Sequence, residues 1–122
     1  MTLEVALACL ALNVYHEARG EPVEGQVAVA LVTLNRAARD TRRVCSEVWK
    51  PYQFSWTIKT PPVRDMRAWH RAHEVARAAW SMPDFTGGAT HFHADHVSPR
   101  WASTKRRVGK WGRHIFYRKE LP

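Results

Sequence analysis

The chain is 122 residues long and 45% hydrophobic, enough for one domain with a real core and too short for two. No apolar run reaches the roughly 18 residues that a membrane-spanning helix needs, so stable membrane insertion is not expected. A formal charge of +8 selects a polyanionic partner or surface without saying which: nucleic acid, anionic lipid and acidic cell-wall polymers all qualify.

Leu3, Leu7, Leu10 and Val14 recur at the spacing of one helical face, which predicts a first helix over Leu3 to Ala18. This apolar opening lacks a basic leading region and carries Glu4, so it reads as a mature helix and not as a signal peptide. Glu17 continues the inward stripe. Its carboxyl is therefore expected to be partly desolvated, which favours the neutral, proton-donating form that a general acid needs. Gly20 and Pro22 stop the helix and place Glu17 near an element end, beside a cleft. The competing reading has Glu17 turned to solvent at a frayed terminus, or capping the next helix.

A second helix is predicted after Pro22, with Glu24 in its first turn and its end near Arg39. Its centre, Val27 to Val32, is apolar nearly all round, the mark of a central buried helix. Val44 to Trp49 reads as a short helix or turn, and Pro51 through Pro62 as irregular structure containing Gln53-Phe54-Ser55-Trp56. A third long helix is expected from about Asp65 to Trp80, with Met66, Trp69, Ala76 and Trp80 facing the core, and Met82-Pro83-Asp84 ends it. After Gly87-Gly88, the stretches Thr90 to Val97 and His114 to Tyr117 suit strands, separated by a basic loop from Lys105 to Lys110. The expected fold is α+β: one mostly helical domain over residues 1–122 with a small antiparallel hairpin or sheet. Cys9 and Cys45 match no metal or redox spacing; the reading favours buried thiols, with a bridge left open for an oxidising compartment.

Three groups of residues compete to carry chemistry. Glu17 is the first, with Glu21, Glu24 and Asp95 as candidates for the second carboxylate that most glycosidases use. For Glu21 and Glu24, helix-start electrostatics is the simpler explanation. The second is His91-Phe92-His93-Ala94-Asp95-His96. Here His91 and His93 are expected on opposite faces of a strand, unable to share one ion, and no paired Cys or helical His-Glu-x-x-His supplies the remaining zinc ligands. No metal or other cofactor is expected, and a zinc amidase or peptidase built on His91, His93 and His96 is kept as an alternative. The third is the basic, Trp-bearing segment with Arg100, Trp101, Lys105, Arg106, Arg107, Lys110, Trp111 and Arg113. It suits single-stranded nucleic acid, sugars stacked on indole rings, or a solvated loop, and the last leads because no nucleic-acid motif accompanies it.

Five blocks together resemble the SleB-type cell-wall hydrolases, the family of spore-cortex-lytic enzymes that also includes phage endolysins. They are Asn13 to Glu21; Val32 to Arg36; Val44-Cys45 followed by Gln53-Phe54-Ser55-Trp56; Gly88 to His93 continuing to Ser98-Pro99-Arg100-Trp101; and Gly112 to Tyr117. The resemblance implies a lysozyme-like α+β fold acting on peptidoglycan glycan strands. It assigns the catalytic glutamate to Glu17, and a glycan groove to the segments holding Gln53, Ser55 and Trp56 and Thr90, His91 and Phe92. Many relatives are expected to carry tyrosine where this chain has Phe92, which removes a hydroxyl and keeps a ring.

The family is similar to lytic transglycosylases, so the resemblance implies cleavage between N-acetylmuramic acid and N-acetylglucosamine with formation of 1,6-anhydromuramyl ends. Hydrolysis by a muramidase using Glu21 or Asp95 is the alternative. The implied partner is peptidoglycan, with no nucleic acid, and the enzyme is expected to be a monomer. A phage endolysin that waits in the cytoplasm and then acts on the wall is the expected setting, and the positive charge, Lys105, Arg106 and Arg107 included, would concentrate it there.

Overall fold

A computed structural model describes residues 2–50 and 53–119 of the chain. Pro51, where the sequence predicts the irregular segment to begin, lies outside the described residues. Among the described residues five α-helices come first: α1 (Leu3–Ala18), α2 (Val23–Arg36), α3 (Thr41–Val48), the single turn α4 (Trp56–Lys59) and α5 (Met66–Ser81). Three strands follow, β1 (His91–Ala94), β2 (Arg106–Trp111) and β3 (His114–Arg118), with a 3-10 turn at Arg100–Thr104. The sheet is antiparallel in the order β1-β3-β2.

Local chemistry sets the helix ends. Thr2, Asp40 and Asp65 each accept a backbone N–H from the first turn of α1, α3 and α5 respectively, which satisfies donors the helix leaves open. In α2 every residue from Gly25 to Leu34 is buried, as its all-round apolar centre predicts. That helix stops at Arg36 and not near Arg39, because Ala38 and Arg39 turn into the left-handed region (φ 52° and 53°). The strain is offset by what the turn achieves: the Arg39 guanidinium donates to the carbonyls of Ala79, Trp80 and Met82 at the C-terminal end of α5.

The main core lies where α1, α2 and α5 meet, around Leu7, Leu10, Val14, Leu31, Leu34 and Val75. A second cluster joins α2 to the sheet through Val29, Val32 and Phe116, with Phe92 and Trp111 packed against it. Two expected core residues are not in either. Leu3 is 40% exposed and Met66 54% exposed, because burial on α1 begins only at Ala6 and on α5 at the Ala68–Trp69 turn, so each helix overhangs its partners at its first residue.

Two further expectations are corrected. The basic stretch from Lys105 to Lys110 is largely strand β2, not a loop; Arg106 and Arg107 pair with Arg118 and Tyr117, and a bulge between Arg107 and Gly109 resets the register. The exposed charges sit on an edge strand, where they discourage further pairing. Cys9 and Cys45 are joined in a disulfide that ties α1 to α3 across 36 residues of sequence. Spacing rules look for neighbouring cysteines, and this pair meets only because the two helices cross.

Candidate active site

Glu17 is the penultimate residue of α1, on the side that faces the sheet. Two hollows meet at it. One, of about 210 Å³, is walled by Arg36 from α2, Gln53 and Phe54 from the segment before α4, Thr90, His91 and Phe92 from the start of the sheet, and Trp101 from the 3-10 turn. The other, of about 440 Å³, is bounded by His16, Arg19 and Glu21 on one side and by His96, Arg113 and His114 on the other. A groove thus runs between helices and sheet, with the Glu17 carboxyl at its waist.

Burial raises the Glu17 pKa from its ordinary carboxylate value to about 7, and no cation or hydrogen-bond donor among the described residues holds the charge. This is the signature of desolvation acting alone. At neutral pH roughly half the molecules carry the proton, so both giving and taking one are within reach.

The other candidate carboxylates are differently placed. Burial would raise Glu21 too, but the backbone N–H and guanidinium of Arg113 bind its two oxygens, and with the positive charge of His114 and Arg113 they bring its pKa below the usual range. Asp95 is exposed, and its pKa is lowered chiefly by Lys110, which pairs with it at 3.1 Å. Glu24 is exposed in the first turn of α2.

The histidines divide in the same manner. His91 is pushed down to about 4 by burial and by the charges of Arg36, Lys105 and Lys119, so it is neutral at pH 7, with Nδ1 2.9 Å from the Thr90 hydroxyl. His93 is spent on structure. A carbonyl can only accept, so Nδ1 donates to Ala94 O, while Nε2 is hydrogen-bonded to the Tyr117 hydroxyl at 2.9 Å. Both rings pack against Trp101, so His91 and His93 share a face, contrary to the expectation; residues two apart on a strand point the same way. Among the described residues, no three His, Cys, Asp or Glu side chains are grouped to hold a metal ion.

Gln53, Thr90, His91 and Phe92 therefore meet at the groove, in one wall with Glu17. Ser55 and Trp56 do not line either hollow. Ser55 is exposed, while Trp56 lies behind the wall, 7% exposed, donating its indole N–H to Asn13 at 2.9 Å and stacking on His16. Sequence reasoning passed over Arg36 as a site residue, and named Trp101 only within the basic, Trp-bearing segment, where stacking on sugars was one of three readings. Arg36 is the hub of the wall: it donates to the Gln53 amide oxygen and to Thr90 O, and pairs with Glu47. Its signal was present in the Asn35-Arg36 ending of α2, where Asn35 similarly donates to Ala89 O and Asp84.

A sequence profile described as cell wall hydrolase matches residues 20–117. The chain belongs to the cell wall hydrolase family. Its match begins just after Glu17, but longer alignments reach further. The spore cortex-lytic enzymes of Halalkalibacterium halodurans and Oceanobacillus iheyensis are each 36% identical, over 114 and 117 residues and 88% of this chain. The chain spans 33% and 39% of the length of those two relatives. Among solved structures, the catalytic domain of the Bacillus cereus SleB protein superposes with a TM-score of 0.79 at 28% identity, covering 97% of this chain and 93% of that one. The catalytic domain of the germination-specific lytic transglycosylase SleB from Bacillus anthracis gives 0.76 at 30% identity, covering 97% of each. The cell wall hydrolase fold here is thus the lysozyme-like α+β arrangement that the sequence blocks imply: a helical body, a three-stranded sheet and a groove between them.

Proposed function

We propose that this cell wall hydrolase chain forms one catalytic unit that cleaves peptidoglycan strands between N-acetylmuramic acid and N-acetylglucosamine, as a lytic transglycosylase needing no cofactor. The observation that carries the reading is the isolation of Glu17: a carboxyl at the waist of a groove, with a pKa of about 7 and no charged partner among the described residues.

The Glu17 carboxyl gives its proton to the glycosidic oxygen as the C1–O bond breaks. The N-acetyl group of the muramic sugar meets the positive charge that develops at C1. Glu17, now a carboxylate, takes the proton from the C6 hydroxyl of the same sugar while that oxygen bonds to C1. A 1,6-anhydro ring closes, no water is consumed, and Glu17 is again protonated. One group with a near-neutral pKa serves both halves of the cycle. Gln53, Thr90 and neutral His91 offer hydrogen bonds to sugar hydroxyls, and Phe92 and Trp101 offer flat faces for the pyranose rings. Trp56 acts one layer back, as a positioning residue that steadies His16 beside Glu17.

Hydrolysis by a muramidase requires a second carboxylate free to direct water. Glu21 and Asp95 are both held as ion-paired carboxylates, by Arg113 and Lys110, which favours the single-carboxyl route. Mass spectrometry of muropeptides from treated sacculi tests this. The wild type is expected to release 1,6-anhydromuramyl ends and Glu17→Gln none. Reducing ends, heavier by one water, would establish hydrolysis instead.

A further inference from the structure

The groove does not end at the second hollow. A third, of about 220 Å³, shares Arg19 and Glu21 with it and continues onto α5, where Arg67 and Arg71 form its far wall. Arg67 and Arg71 are one helical turn apart and therefore on the same face. Arg19 is fixed relative to them: its guanidinium lies 4.7 Å over the ring of Tyr15, whose hydroxyl accepts the backbone N–H groups of Arg64 and Asp65 at the start of α5.

The charge in this hollow is unbalanced. Glu21 is neutralised by Arg113, and the Asp65 carboxylate is engaged in capping α5 at Ala68. Arg19, Arg67 and Arg71 form no ion pair with the described residues. Three guanidiniums around a depression that opens from the cleavage groove call for an anion carried by the substrate itself. In peptidoglycan the glycan backbone is uncharged, and the carboxylates are on the peptide stems attached to the muramic sugars.

We infer that Arg19, Arg67 and Arg71 form a subsite for the peptide-stem carboxylates of a glycan strand bound across Glu17, making the enzyme selective for peptide-bearing strands. The inference rests on the glycan-cleaving reading for its choice of ligand. Arginine suits the task, because its planar fork meets a carboxylate with two parallel hydrogen bonds. The peptide would lie over α5, outside the walls that hold the sugars, so it would change affinity and not the chemical step.

The test compares soluble glycan fragments that retain their peptide stems with the same fragments stripped by an amidase, whose cut frees the lactyl carboxylate of each muramic sugar and removes the stem carboxylates farther out. Binding is measured by calorimetry in a Glu17→Gln background, with and without Arg67→Glu and Arg71→Glu together. The double substitution is expected to weaken binding of peptide-bearing fragments by about fivefold or more, and to leave stripped fragments unchanged. In the active enzyme the same pair is expected to raise KM for peptide-bearing fragments with kcat unaltered. Equal effects on both substrates, or none on either, would overturn the subsite. Because the binding arm needs no turnover, it decides the matter even if no bond is cut; failure of the wild type to cleave stripped strands would instead count against the glycosidic reading. Both arginines are exposed, and thermal melting verifies that the double variant folds.

Discussion

Glu17 and Glu21 are four residues apart, yet the groove wall and the hairpin clasp treat them as opposites. At the groove wall, burial acts on Glu17 with nothing to answer it, and the pKa climbs to about 7. In the clasp, the turn between β2 and β3 delivers Arg113 to Glu21, and the pKa falls. Gly112 makes this approach feasible: its φ of +60° suits glycine, and a Cβ there would collide with the Glu21 side chain. The same residue type is thus left able to hold a proton near neutral pH in one place and made a structural anion in the other. Desolvation without a partner creates reactivity, whereas desolvation with one creates cohesion.

The contrast breaks most visibly in catalysis. Glu17→Gln is expected to lower kcat/KM on sacculi by roughly a thousandfold, the scale of losing a general acid, whereas Glu21→Gln should cost less than about tenfold. Similar losses for both would erase the distinction.

Stability against pH sharpens it further. The folded pKa of Glu17 lies above its unfolded value, so the protonated form is favoured in the native state. Its stabilising contribution is full below about pH 4.5 and is lost as pH rises through about 7. A Gln at position 17 cannot ionise, so relative to wild type Glu17→Gln should gain up to about 3 kcal/mol by pH 9 and nothing at pH 4. Urea titrations at the two pH values check this. Glu21 has the reverse sign. Its pKa is depressed, so its contribution is present above the unfolded carboxylate value and is lost as acid protonates it. Glu21→Gln is expected to cost only about 1–2 kcal/mol at pH 7, since Arg113 is largely exposed, and the deficit should shrink toward pH 3. A deficit independent of pH would show that packing, and not charge, is what the clasp supplies.

Much of this was legible in the chain. Helix α1 begins and ends where the periodicity and the Gly20–Pro22 stop place it, and the continuation of its stripe to Glu17 foretold burial of that carboxyl. Such signals are local, repeating every turn or two. What sequence could not give is pairing at long range. Glu21 with Arg113, Arg36 with Thr90 and His93 with Tyr117 are contacts between distant segments, set by how the sheet docks on α2. The basic run at β2 misled for a related reason: charge argues for exposure, and an edge strand is exposed without being a loop. The ends of α1 and α5 misled because periodicity identifies a face but not how far the neighbouring helices extend along it. Ser55 and Trp56 belong to a block that borders the groove, yet only Gln53 and Phe54 turn into it.

The Cys9–Cys45 bond fastens the helix that carries Glu17 to the helix whose Glu47 steadies Arg36. Glutathione-rich surroundings reduce such bonds, while extracytoplasmic ones preserve them. One polypeptide can consequently exist in a stapled and an unstapled form, so the thiol balance of whatever compartment or buffer surrounds it becomes a variable of its durability, as real as temperature.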